Sequence, residues 1–187
     1  MNTPMRNPIT GQELEILRGG EDTGGELLVM RSTLRPGSLP PSPHFHPAQR
    51  EDFRVEQGEI TVRMEGASRV YRKGETLHIP AGVVHNMWNA GREVAVVHWE
   101  TRPALRTEAF LRNAFGLAAD GKCTAQGTPT LPQASLLLPR FAAEYRLASP
   151  PVWVQRIVFA VLAPLARLRG LKPEYPAYAG GTRARST

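Results

Sequence analysis

The sequence predicts a mainly β fold, a sandwich or barrel of short strands, followed by an α-helical C-terminal extension. Three observations carry that expectation. Turn signals recur through the first half at Pro36-Gly37, Gln57-Gly58, Glu65-Gly66, Lys73-Gly74, Ala81-Gly82 and Ala90-Gly91, the punctuation of many short strands. Between them the apolar residues alternate with polar ones or form short β-branched runs. Beyond Pro103 the apolar period becomes that of a helix.

The elements follow in order. Leu27-Leu28-Val29-Met30 is a short apolar run, so residues 1–26 are taken as an N-terminal segment and 27–103 as the β domain. Ile60-Thr61-Val62-Arg63-Met64 alternates as a half-buried strand does. Val94 to Trp99 is rich in β-branched residues and ends near Pro103. The helical extension is placed at 104–178. In it, Phe110, Leu111, Ala114, Phe115, Leu117 and Ala118 keep to one side, with Thr107 as the N-cap. A loop rich in Gly, Thr and Pro covers about 120–133. Residues 134–147 are predicted helical, kinked or restarted at Pro139. A third helix is expected from Val152 to Arg169, and the small, basic residues 179–187 as a frayed, disordered tail.

Composition narrows the class. At 187 residues, 41% hydrophobic and 21% charged, the chain has enough apolar material for a core and is not a disordered polymer. The single cysteine, Cys123, excludes an intrachain disulfide framework and fits a reducing compartment. The N-terminus carries no apolar run of the secretion type, which makes the cytoplasm the expected location.

Charge is uneven. Residues 1–103 hold 12 basic and 13 acidic side chains, residues 104–187 hold 11 and 4. Such a basic extension is either a solvated Arg-rich surface or a contact for nucleic acid, anionic lipid or an acidic partner. No helix-turn-helix pattern is present, so no sequence-specific nucleic-acid partner is expected. From Ile157 to Ala166 all ten residues are apolar or Pro, against the roughly 20 that a transmembrane span requires. Gln155, Arg156, Arg167 and Arg169 bracket this run. The favoured expectation is a packed helix that buries Ile157, Val161, Leu165 and Leu168 on the barrel or on a second subunit. The alternative is peripheral contact with an anionic membrane.

The chemistry concentrates between residues 37 and 89. His44 and His46 are one residue apart, so on a strand both imidazoles share a face. Glu51 follows after a short turn, and His85 comes just after Pro80-Ala81-Gly82. Three imidazoles and a carboxylate suit one divalent metal ion: iron, manganese, nickel, copper or zinc. His78 and His98 lack such spacing and are taken as ordinary surface or hydrogen-bonded histidines.

The spacing carries a resemblance. Gly37-x6-His44-x-His46-x4-Glu51-x6-Gly58 and Gly74-x5-Pro80-x-Gly82-x2-His85-x3-Asn89 resemble the two motifs of the cupin superfamily at all ten fixed positions. Ten chance matches in register would occur on the order of 10⁻¹³ of the time. The short gap at 59–73 is similar to that of bacterial cupins. With Arg102-Pro103-Ala104, Gln155-Arg156 and Gly170, the whole chain resembles small bacterial single-cupin-domain proteins with a helical extension, some labelled quercetin-dioxygenase-like.

The resemblance implies a cupin jelly-roll β-barrel of roughly six to eight antiparallel strands. The metal would sit in its mouth on His44, His46, Glu51 and His85. Phe53 and Val55 would share the Glu51 face, and Met87 the His85 face. Val62 and Met64 would complete the wall, and His98 and Glu100 would add polar groups to the pocket. The apolar positions read equally as plain barrel filling. Gly58 and Gly74 are expected at turns, Pro80 and Gly82 in the loop that delivers His85, and Asn89 at a strand end. Four protein ligands would leave positions for a substrate, or for a substrate beside dioxygen. The implied function is a metal-dependent, dioxygenase-like oxidoreductase acting on a small oxygenated or aromatic molecule, and a homodimer is expected. The alternative is a metal-dependent small-molecule binder or sensor without turnover.

Overall fold

Alternation of apolar and polar side chains builds the two facing sheets of the computed structural model, which describes residues 4–179. Ten strands come first: β1 (Met5–Arg6), β2 (Glu13–Arg18), β3 (Leu28–Leu34), β4 (His44–Phe45), β5 (Arg50–Gln57), β6 (Glu59–Met64), β7 (Ala67–Arg72), β8 (Thr76–Ile79), β9 (His85–Trp88) and β10 (Ala95–Arg102). Then come helices α1 (Thr107–Ala119) and α2 (Leu131–Arg140), the short strand β11 (Arg146–Leu147), and helices α3 (Val152–Leu168) and α4 (Pro176–Ala179).

One sheet has the order β1-β2-β3-β10-β5-β8 and the other β11-β4-β9-β6-β7. Every pairing is antiparallel. This is the jelly-roll architecture expected, with helices at its C-terminal side. The inward residues of both sheets, among them Phe53, Val55, Ile60, Val62 and Val97, pack into one core. Gly58 links β5 to β6 at φ +66°, where a Cβ would lie 2.5 Å from the Val94 carbonyl oxygen, so no larger residue fits without moving backbone.

Several elements differ from expectation. The segment before residue 27 supplies β1 and β2 to the large sheet. Met5, Leu14 and Ile16 pack there with Leu28, Met30 and Phe115 of α1. Thr107 is the first residue of α1 rather than its cap: Arg106 precedes the helix, and the Thr107 hydroxyl meets the Gln49 amide at 2.7 Å. The helix expected over 134–147 starts earlier, contains Pro139 and ends at Arg140. Arg146 and Leu147 become a strand on β4. Residues 180–187 of the expected tail lie outside the described residues.

The largest difference is in α3. Ile157, Val161, Leu165 and Leu168 are exposed, not buried on the barrel. The helix packs its other side, including the fully buried Ala166.

Candidate metal centre

The barrel brings His44, His46 and His85 together at one end. β4 and β9 pair with His44 opposite His85, and their ring centroids lie 4.6 Å apart. His46 sits one residue past β4, and its carbonyl accepts a hydrogen bond from Gly82 N at 2.8 Å. That bond ties the first motif to the loop that delivers His85. One ring nitrogen from each histidine lies within 4.8 Å of the others.

Glu51 enters from the facing sheet. On β5 it shares the inward face with Phe53 and Val55 and is 1% exposed. Its Oε1 lies 3.2 Å from His46 Nε2, and its Oε2 lies 3.1 Å from His85 Nε2. The turn between His46 and Glu51 is held by buried Gln49, whose amide reaches the carbonyl of Pro103 at 2.7 Å.

The far nitrogen of each ring decides the chemistry of the near one. His44 Nδ1 bonds the Ser42 carbonyl at 2.9 Å, His46 Nδ1 the Glu144 carbonyl at 2.5 Å, and His85 Nδ1 the Val83 carbonyl at 2.9 Å. A carbonyl only accepts, so each Nδ1 carries a proton. In a neutral imidazole that leaves the Nε2 lone pair free, the state that binds metals. Two such lone pairs then face the Glu51 carboxylate, and an arrangement of acceptors against an anion is relieved by a cation between them, a metal ion or a proton. Buried His46 Nε2 has no aligned hydrogen-bond partner. The donor set therefore fits a divalent ion.

The electrostatics differ between the rings: His44 is held neutral, whereas His46 retains its proton more readily. Burial, reinforced by His85 and His46, pushes His44 down to about 3. Burial alone would raise Glu51, but the charge and hydrogen bonds of His46 and His85 outweigh it and hold the carboxyl well below the usual range. Burial also opposes charge on His46, yet Glu51 and the Glu144 carbonyl hold it above the ordinary imidazole value.

Four contributors to this centre were not legible in the motifs. Trp99, inward on β10, donates its indole N–H to Glu51 Oε1 at 3.1 Å. Tyr145 stacks on His44 with centroids 4.6 Å apart, and Phe110 of α1 stacks on Tyr145 at 4.9 Å. Burial pushes the Tyr145 phenol up. Glu144 supplies its carbonyl to His46, while its own carboxylate accepts from Arg106 N at 3.2 Å. β11 holds this segment in place through Leu147 opposite His44. The Val97–Trp99–Thr101 alternation signals the inward Trp99; Tyr145 has no local signal, since it follows His44 by 101 positions.

The pocket residues divide. Phe53, Val55 and Val62 are buried in the barrel core. Met64 and Met87 pack against that core half-buried; Met64 is the cross-strand neighbour of His85, and Met87 of Val62. His98 and Glu100 are not brought to the histidines. They sit on the alternate face of β10 from Trp99 and Thr101, opposite Arg54 and Asp52. The expectation that they line the pocket is corrected by strand parity: Thr101 pairs with inward Glu51, so Glu100 must turn outward. With Asp52, Thr76 and His78 they line a groove on the outside of the large sheet.

Comparison with known families decides the lineage. The family model for the Cupin domain matches residues 30–99, which hold all three histidines and Glu51. The chain is also 32% identical to "Probable oxidoreductase virH" of Hypocrea virens, across 74% of this chain and 67% of that protein. The chain belongs to the cupin family. It is 29% identical to oxidoreductase iacF of Pestalotiopsis fici, across 72% of this chain and 71% of that protein. With oxalate oxidase 1 of Hordeum vulgare the identity is 35% across 50% of each, so the chain spans about half the length of that relative. These relatives are fungal and plant proteins. The crystal structure of a predicted oxalate decarboxylase from Thermotoga maritima shares the fold at 22% identity, with a TM-score of 0.50 over 55% of this chain and 93% of that one.

Proposed function

We propose that this cupin holds one divalent metal ion on His44, His46, Glu51 and His85, and acts as an oxidoreductase on a small oxygenated or aromatic molecule. The observation that carries the proposal is the convergence of three imidazoles, each bonded through Nδ1 to a backbone carbonyl, two of which present Nε2 within 3.2 Å of the buried Glu51 carboxylate. The relatives named as oxidoreductases and oxalate oxidase support the reaction class. A bound iron, manganese, nickel or copper would supply redox chemistry towards dioxygen, and zinc a Lewis acid alone.

The chain's own residues have distinct tasks. Glu51 contributes the one negative charge, and Trp99 fixes the orientation of its carboxylate. The backbone carbonyls at Ser42, Val83 and Glu144 set the tautomers. Tyr145, stacked between His44 and Phe110, forms an aromatic wall beside His44 that excludes water. Met64 and Met87 extend the apolar lining beside His85.

The test is oxygen uptake by metal-loaded protein with oxalate and related small acids, catechols, β-diketones and flavonols. Flavonols belong in the panel because the His44–Gly58 run resembles the quercetin-dioxygenase-like cupins. Uptake with one substrate class, lost in a folded His85→Ala variant, is the expected result. Full metal content in that variant would sink the site assignment. Saturable binding of a panel compound with no uptake by any would replace the oxidoreductase with a metal-dependent binder.

A further inference from the structure

We propose that α3 seats this protein on an anionic lipid surface. Trp153, Ile157, Val161, Leu165 and Leu168 recur at helical spacing and are 67%, 59%, 62%, 52% and 84% exposed. Together they form one apolar stripe along the helix, larger than the scattered apolar residues of an ordinary soluble surface. The stripe cannot turn inward by rolling the helix. Gln155 Nε2 is bonded to the carbonyls of Leu147 at 3.1 Å and Pro150 at 2.6 Å, and Ala166 is buried on the opposite side.

The charges around the stripe select its occupant. Arg156 and Arg167 are eleven positions apart, about three turns, so they flank the same edge of the stripe. Arg169 follows at the helix end. Between Glu144 and Glu174 the chain contains no acidic residue. Among the described residues no carboxylate pairs with Arg156, Arg167 or Arg169. An apolar stripe edged by unanswered arginines complements acyl chains beneath anionic headgroups. Trp153 at the start of the stripe suits the headgroup boundary. No helix of the described residues is long and apolar enough to cross a membrane, so α3 would lie in the surface.

A second copy fits less well. Packing two such stripes together would bring arginine edges near one another with no acidic rim to meet them, and like charges at an interface oppose association.

Vesicle flotation with the full-length protein tests the proposal. Vesicles of phosphatidylcholine with about a third phosphatidylglycerol should carry the protein, and pure phosphatidylcholine should not. Binding should fall as salt is raised. Ile157→Glu with Val161→Glu should abolish it; both positions are exposed, so the circular dichroism spectrum should not change. Arg156→Gln and Arg167→Gln should each weaken binding about fivefold. Absence of flotation with wild-type protein overturns the proposal. So does equal binding to neutral and anionic vesicles. A dimer by light scattering that the Ile157→Glu, Val161→Glu variant dissociates, without vesicle binding, assigns the stripe to a second copy instead.

Discussion

Glu51 and Asp52 are neighbours on one strand, and each meets histidine. The outer pair is the shorter: Asp52 Oδ1 lies 2.6 Å from His78 Nδ1, while Glu51 lies 3.1–3.2 Å from His85 and His46. Only the inner carboxylate belongs to a chemical centre. The outer side chains are 39% and 55% exposed, so water screens them, and a surface pair of that kind contributes about 0–1 kcal/mol. The inner carboxylate is 2% exposed and faces two imidazoles whose other nitrogens are already committed. Burial, convergence and prior commitment of the hydrogen bonds make a site; contact distance does not.

Breaking the inner cluster should have the largest effect. His46→Ala and His85→Ala are each expected to lower metal content sharply by elemental analysis. Partners around metal ligands alone are worth about 10–100-fold in affinity, and loss of a ligand costs at least as much. Glu51→Ala should cost less than either, because three imidazoles remain. Unchanged metal content in the histidine variants would place the inner and outer clusters on equal terms.

The next effect sharpens what supports the inner face. Trp99→Phe keeps the stacking on Phe53 and removes the donor to Glu51, so metal affinity should fall about tenfold. Tyr145→Ala should perturb the spectrum of cobalt-substituted protein through His44, while Tyr145→Phe should restore it. A Tyr145→Ala spectrum identical to wild type would remove Tyr145 from the centre.

Surface charges should matter less. Arg106, bonded through both oxygens of Glu174, and then Arg140 hold the Glu174 carboxyl below its ordinary 4.5. The native state therefore binds fewer protons here than the unfolded state. The stabilisation is complete above about pH 4.5 and is lost as pH falls through the lower native value. Glu174→Gln should lower thermal stability at neutral pH by under about 1 kcal/mol, given its exposure, with the gap closing in acid. His78→Ala should have the smallest effect: metal content unchanged, and stability altered by under about 0.5 kcal/mol. A loss of metal in His78→Ala would erase the distinction between the two faces.

The barrel and its four candidate ligands were legible in the residues because their signals are local. Turn glycines, strand alternation and the His44–His46 spacing act within a few positions. Parity also held the information that turns His98 and Glu100 outward, once Val97 and Trp99 are seen to alternate with them. The tertiary structure alone decided the rest. α2 stops at Arg140, the chain then forms β11 on β4, and Tyr145 and the Glu144 carbonyl land on His44 and His46. No periodicity encodes a contact across 101 residues; it arises from how the extension packs on the barrel. The same holds for α3. Its sequence establishes that the helix is apolar and bracketed by arginines, but which side faces the protein was settled by Ala166 and Gln155, whose packing and hydrogen bonds exist only in the folded chain.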